Sequence, residues 1–208
     1  MFAPGAGRYL GAGAAAVLVL AALPLTGRFA LSWPWAALVA VTLAVWLFFA
    51  VFFRDPERAV GDGIVSAADG RVRAVSSDGG VLCVSVFMNV TNVHVNRFPL
   101  EGAVEGIENS GSGFRAAFRD DAGHNVQRRY RLGTTIGHVE VVQITGVVAR
   151  RLVSFVAPGA RRGKGERLGM IVLGSRVDVF LPADRATPTV KVGDRVRAGV
   201  TTIARGTA

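Results

Sequence analysis

Near the C-terminus a glycine followed by a serine, Gly174-Ser175, separates two apolar runs, Met170-Ile171-Val172-Leu173 and Val177-Asp178-Val179-Phe180-Leu181. Glycine tolerates backbone angles that would clash with a Cβ, so the serine hydroxyl can reach the carbonyl that precedes it. Attack there would convert the peptide bond into an ester and prepare the chain to cut itself. The same dipeptide is also an ordinary turn between strands, and the rest of the chain has to separate the two readings.

Three further segments carry polar groups suited to such chemistry. They are Phe52-Phe53-Arg54-Asp55-Pro56-Glu57-Arg58, then Ser66-Ala67-Ala68-Asp69-Gly70-Arg71-Val72, then Val93-His94-Val95-Asn96-Arg97-Phe98-Pro99. Taken singly, Asp69 reads as an Asp-Gly turn and His94 as a histidine satisfied within a strand. In their order and spacing, and with the segment from Gly169 to Pro182, the four blocks resemble the phosphatidylserine decarboxylase family in its short form with a Gly-Ser-Arg processing site. The resemblance runs from Phe52 to the C-terminus.

That resemblance implies a pyruvoyl-dependent lyase of phospholipid biosynthesis, made as a zymogen, that converts phosphatidylserine to phosphatidylethanolamine. Autocatalytic cleavage would leave Gly174 at the end of a β chain, residues 1–174, and Ser175 at the start of an α chain, residues 175–208. Ser175 would become the covalent pyruvoyl group. At 34 residues the α chain is too short to carry a core alone, so both chains are expected to stay associated.

Loss of carbon dioxide from an amino acid leaves a carbanion, and ordinary side chains offer it no electron sink. A carbonyl that forms a Schiff base with the substrate amine does, and no other cofactor fingerprint is visible. A serine is a weak nucleophile that needs a base and an orienting group. By resemblance Asp69 and His94 take those parts, since a carboxylate can fix the tautomer of an imidazole. Many bacterial members carry a second histidine three residues after the first. Here that position is Arg97, which cannot act as a base at neutral pH and is a candidate to bind the substrate carboxylate or phosphate. Of the other histidines, His138 precedes an apolar strand and ranks above His124, which lies in a polar stretch.

The elements that must position these groups follow from composition. The chain has 208 residues, half of them hydrophobic, enough for one modest domain and a membrane segment. Residues 1–53 supply two apolar runs, 10–25 and 31–53; the second is long enough to span a bilayer, and the first is marginal against the usual ~20 residues. A transmembrane helical hairpin is the simplest reading, with a signal peptide as competitor for the first run. Arg8 precedes the first run, Arg54 and Arg58 follow the second, and Arg28 lies between them. The positive-inside rule therefore puts the catalytic domain on the cytoplasmic side of the cell membrane.

Residues 54–208 hold all 15 acidic residues and 22 of the 24 basic ones, an excess of seven positive charges that would draw the domain to anionic headgroups. Arg161-Arg162-Gly163-Lys164-Gly165-Glu166-Arg167 is a candidate lipid-facing loop. No nucleic-acid motif accompanies the charge, so no nucleic-acid partner is expected. Cys83 is the only cysteine, which excludes an intramolecular disulfide and a cysteine-based metal site; no metal is predicted.

Short Val/Ile-rich runs separated by Gly, Asp and Asn predict a mainly β domain, a sandwich or flattened barrel. Strands are expected at 71–75, 81–87, 139–144, 176–181 and 195–198. Residues 190–199 resemble the closing turn and strand of biotinyl and lipoyl carrier domains, without their modified lysine. Residues 103–130 are polar and turn-rich and read as a loop over the active site. Two alternatives stay open: a decarboxylase of another serine-headgroup lipid such as archaetidylserine, and a non-catalytic membrane-anchored β adaptor. The oligomeric state is open as well, a homo-oligomer included.

Overall fold

The computed structural model describes residues 1–27, 32–113, 124–146, 151–172 and 175–207, and it divides into two compact units, Met1–Pro56 and Glu57–Ala208. The first unit is a helical hairpin. Helix α1 (Gly7–Ala22) runs into a 3-10 turn (Leu23–Thr26), and α2 (Trp33–Phe52) returns beside it. Trp46 Nε1 donates to the Leu10 carbonyl at 2.9 Å and Trp35 Nε1 to the Leu20 carbonyl at 3.0 Å, which sets the helices antiparallel. The Ala3 N–H donates to Phe53 O and the Asp55 N–H to Met1 O, both at 2.8 Å, closing the base of the hairpin.

The spans Gly7–Thr26 and Trp33–Phe52 are each 20 residues long, with mean hydropathy 1.9 and 2.4, so both are long and apolar enough to cross a membrane. The first is longer than its apolar run because Gly7, Arg8 and Tyr9 join the helix, the Arg8 guanidinium lying 4.7 Å from the centre of the Tyr9 ring. Arg28 lies outside the described residues.

The second unit is built from strands. In chain order they are β1 (Ile64–Val65), β2 (Gly70–Asp78), β3 (Val81–Met88), β4 (Val95–Arg97), β5 (Gly102–Ser110), β6 (Gln127–Thr134) and β7 (Gly137–Thr145). There follow β8 (Arg151–Ser154), β9 (Arg161–Arg162), β10 (Arg167–Val172), β11 (Ser175–Pro182), β12 (Ala186–Pro188), β13 (Arg195–Val196) and β14 (Thr202–Gly206). An eight-stranded antiparallel sheet has the order β13-β2-β3-β11-β7-β6-β5-β9, and two three-stranded sheets have the orders β4-β10-β8 and β1-β14-β12. The domain is mainly β, as expected. The large sheet is open, with β13 and β9 at its edges, so no closed barrel forms among the described residues.

Alternation along β11 shows how the layers are specified. Val177, Val179 and Leu181 enter the core, while Arg176, Asp178 and Phe180 point to the other face. The core also takes Leu168 and Ile171 from β10 and Ile203 and Ala204 from β14, so all three sheets share it. Ser175 has the parity of Val177 and is fully buried on the core side.

Residues 103–130, expected as a loop, are strand at both ends. β5 and β6 pair from Gly102 opposite Thr134 to Ser110 opposite Gln127. A bulge between Val104 and Gly106 breaks the two-residue period on which a sequence reading depends. The polar residues there satisfy one another across the ladder: Arg131 pairs with Glu108 at 2.7 Å, and Arg128 Nε donates to Asn109 Oδ1 at 2.8 Å. Residues 114–123, in the middle of this stretch, lie outside the described residues.

Candidate active site

Ser175 opens β11 between two neighbours, its Cα opposite Met88 of β3 and Thr145 of β7. Its hydroxyl contacts Met88 Sδ at 3.3 Å. Strand β10, which ends at Val172, belongs to a different sheet, so the chain passes from one layer to another just before Ser175. Gly174 lies outside the described residues.

His94 directly precedes β4 and is fully buried. Its carbonyl accepts from the Ile171 N–H at 3.3 Å, which ties it to β10 four residues before Ser175. His94 Nδ1 lies 2.9 Å from the Asn92 carbonyl. A carbonyl can only accept, so Nδ1 carries the hydrogen and the lone pair of the neutral ring sits on Nε2. The imidazole is thus in the tautomer a base needs, and a backbone oxygen holds it there.

Asp69 sits at the turn into β2 and is tied elsewhere. Arg58 Nη1 donates to Oδ1 at 2.5 Å and Arg58 Nη2 to Oδ2 at 2.8 Å, while the Ala198 N–H donates to Oδ1 at 2.8 Å. No hydrogen bond joins Asp69 to His94 among the described residues; the carboxylate is fastened to Arg58, and the imidazole to Asn92. The Asp-Gly pair is required by close approach, because a Cβ on Gly70 would fall 2.1 Å from the Phe87 carbonyl oxygen.

Arg97 is buried in β4, where its Nη1 donates to the Gly165 carbonyl at 2.9 Å. Its guanidinium braces the cationic loop, in which Arg161 and Arg162 are exposed. Lys164 Nζ in the same loop donates to the Gly63 carbonyl at 3.2 Å. His138 is set apart from Ser175. It lies at the far end of β7, opposite Gly133, with its Nδ1 2.9 Å from Glu105 Oε2 and its side chain 82% exposed. Seven rises of extended strand separate it from Thr145, about 23 Å. His124 comes nearer: its neighbour Asn125 donates from Nδ2 to the carbonyl of Thr145, the residue opposite Ser175, at 2.6 Å. Along the fold His124 therefore lies nearer the Ser175 end of β7 than His138 does.

Several buried polar residues escaped the sequence reading. Asn96, Gln143, Thr145 and Asn125 are fully buried, as is Tyr130. Burial pushes the Tyr130 hydroxyl above its ordinary pKa, more than hydrogen bonding to Ser154 and the nearby Arg128 lower it, so it stays protonated as a donor. Alternating polar residues on the core face of β7, at 143 and 145, were the available signal. On the opposite face of β11, Arg176 Nη2 donates to Asp178 Oδ2 at 2.9 Å and Ser85 Oγ to Asp178 Oδ1 at 2.5 Å. Burial first, and then the Asp178 carboxylate, push the Cys83 thiol up to about 12 against the opposing Arg176 charge, leaving it unreactive.

The family model for phosphatidylserine decarboxylase matches residues 45–204. A phosphatidylserine decarboxylase proenzyme of Streptomyces griseus is 41% identical over 194 residues, covering 92% of this chain and 87% of that protein. One from Thermobifida fusca is 44% identical over 171 residues, covering 81% and 78%. A putative archaetidylserine decarboxylase proenzyme of Methanococcoides burtonii is 41% identical over 199 residues, covering 90% and 92%. With the family match spanning three quarters of its length and relatives more than 40% identical over most of both chains, the chain belongs to the phosphatidylserine decarboxylase family.

Proposed function

We propose that this chain is a membrane-associated proenzyme that cuts itself between Gly174 and Ser175, carries a pyruvoyl group made from Ser175, and decarboxylates phosphatidylserine to phosphatidylethanolamine. The observation that carries the reading is Ser175 itself, fully buried at the start of a central strand, with its hydroxyl on a weak sulfur acceptor and with His94 tied to the strand just before it. A hydroxyl whose hydrogen is directed at a thioether keeps its oxygen lone pairs for attack.

In the processing step Ser175 Oγ attacks the Gly174 carbonyl and gives up its proton. His94 Nε2 has the lone pair to receive it. The fit of a pyruvoyl group rests on these residues: a buried position, an imidazole whose backbone is bonded to β10 four residues before Ser175, and a strand anchored on both sides. When formed, that group supplies the carbonyl sink for the electrons released with carbon dioxide. His94, once protonated, is the donor that returns a proton to the substrate carbon. The role of Asp69 is to hold the seam between residues before and after the cut, through Ala198. Arg97, already bonded to Gly165, presents positive charge toward the cationic loop and is the candidate partner for the headgroup carboxylate or phosphate.

Two apolar helices support residence at a membrane. The positions of Arg8, Arg54 and Arg58 favour a cytoplasmic catalytic domain. Names of relatives favour two lipid classes, ester-linked phosphatidylserine and ether-linked archaetidylserine, and the chemistry at the headgroup is common to both.

Intact mass spectrometry of the purified chain tests the reading. An α fragment starting at position 175, lighter by one ammonia than the same fragment with a free serine, is the expected result, together with carbon dioxide release from phosphatidylserine vesicles. Ser175→Ala should remain one uncut and inactive chain. A wild-type protein that stays whole and folded would favour the adaptor reading, and release from archaetidylserine vesicles alone would move the substrate to the ether lipid.

A further inference from the structure

Behind Ser175 a series of buried side chains leads to the Met88 sulfur, and its polar members have no part in the reading above. Tyr130, Gln143, Asn96 and Met88 are each fully buried. The Tyr130 hydroxyl donates to Gln143 Oε1 at 3.2 Å, Gln143 Nε2 donates to Asn96 Oδ1 at 2.7 Å, and Asn96 Nδ2 points to Met88 Sδ at 3.6 Å. The direction is fixed by chemistry. Turning the Asn96 amide alone would set donor against donor at Gln143, and turning both amides would set an oxygen acceptor against the sulfur.

Donors aligned in one direction polarise one another, and the series delivers its last N–H to the sulfur that also receives Ser175 Oγ at 3.3 Å. Apolar residues would fill this space without the cost of burying two carboxamides. Room is also kept for the series: a Cβ on Gly169 of β10 would fall 2.8 Å from Tyr130 Oη and 3.1 Å from Gln143 Nε2. A thioether is a poor partner for an amide N–H, and an oxygen gaining negative charge is a much better one.

We propose that Asn96 Nδ2 is the hydrogen-bond donor to Ser175 Oγ when that oxygen departs during maturation. The assignment rests on the self-cleavage reading above. In the ester, Oγ joins Ser175 Cβ to the Gly174 carbonyl carbon. A base then removes the proton on Ser175 Cα, and the C–H electron pair becomes the Cα–Cβ double bond. The Cβ–Oγ bond breaks, and its electron pair goes to Oγ, now part of the Gly174 carboxylate. The Asn96 donor rests on the sulfur that Ser175 Oγ also contacts; turned from that sulfur to Oγ it stabilises the charge that grows there and does little for the neutral hydroxyl, so it accelerates elimination selectively.

Hydroxylamine, which splits esters under conditions that spare peptide bonds, reads this step. Asn96→Asp keeps the size and the acceptor for Gln143 and removes the donor. Its maturation should slow about a hundredfold, and its full-length pool should be split by hydroxylamine into residues 1–174 and a fragment with free Ser175. Tyr130→Phe removes only the first donor of the series and should raise the ester fraction by a smaller factor, several-fold over wild type. Wild-type rates in both variants, or slow maturation in both with a full-length chain that hydroxylamine leaves whole, would overturn the assignment. Failure of the underlying reading shows separately, as wild-type protein that yields no ammonia-deficient fragment from position 175.

Discussion

Arg58 grips Asp69 through two parallel hydrogen bonds, of 2.5 Å and 2.8 Å, and the pair brackets the backbone of Ala198: Asp69 accepts its N–H, and Arg58 donates to its carbonyl at 2.9 Å. Both side chains are only 11% exposed. Residue 198 lies beyond the proposed cut, so after such a cut this pair would fasten the short C-terminal chain to the long one. The 11-residue spacing from Arg58 to Asp69 joins two blocks that the sequence reading kept apart.

Removing one partner of a buried pair leaves an uncompensated charge, at a cost of about 3–5 kcal/mol. Arg58→Met should therefore lower the urea unfolding free energy by roughly that amount and loosen the α chain after cleavage. Arg58→Lys should lose less, since it keeps the charge without the fork. An unchanged midpoint for Arg58→Met would mean that the pair contributes nothing to holding the seam.

The two histidines predict opposite outcomes. His94→Gln should depress maturation or turnover by a factor of about 10² or more, the usual worth of a positioned proton-transfer group. His138→Gln should leave both within about twofold, because its ring faces solvent beside Glu105 and its partner is a surface one. Gel-monitored cleavage and carbon dioxide release measure the two steps independently; a strong defect at position 138 would contradict the placement of the site.

Gly169→Ala probes the packing of β10 on the polar series. The added methyl would meet the Val153 carbonyl at 2.6 Å and Tyr130 Oη at 2.8 Å, so a loss of about 1–3 kcal/mol is expected from overpacking. Thermal unfolding of the Ser175→Ala background measures it without interference from cleavage. Full stability in Gly169→Ala would show that β10 can shift away at no cost.

Cys83 predicts a pH dependence. Its thiol is raised from the ordinary 9.0 to about 12 by burial and by the Asp178 carboxylate, with Arg176 opposing. The folded chain keeps a proton that the unfolded chain has already lost in that window, so the contribution is complete below pH 9.0 and disappears as pH rises toward 12. Denaturation midpoints should fall less steeply with alkaline pH for Cys83→Ala than for wild type; parallel curves would assign the alkaline loss to other groups.

Local pattern alone determined a good deal here. Two runs of apolar residues specified the helices, and short Val/Ile-rich runs between Gly, Asp and Asn located β2, β3, β7 and β11. The parity of Ser175 with Val177 turns its side chain into the core, a consequence of strand geometry that requires no tertiary information. The Gly174-Ser175 pair and the blocks around Asp69 and His94 pointed to the family through their resemblance to it in order and spacing.

What the tertiary structure decided are the partners. Asp69 is held by Arg58 and by an amide 129 residues away, and Gln143 reaches Asn96 across a separation of 47. His138 is carried to the far end of the strand that Thr145 anchors beside Ser175, and residues 103–110 become a paired strand despite their polarity. Periodicity reports which face a residue takes, since that depends on neighbours one or two positions away. It carries no record of which strands lie side by side, and hydrogen bonds of a few ångströms depend on that adjacency alone.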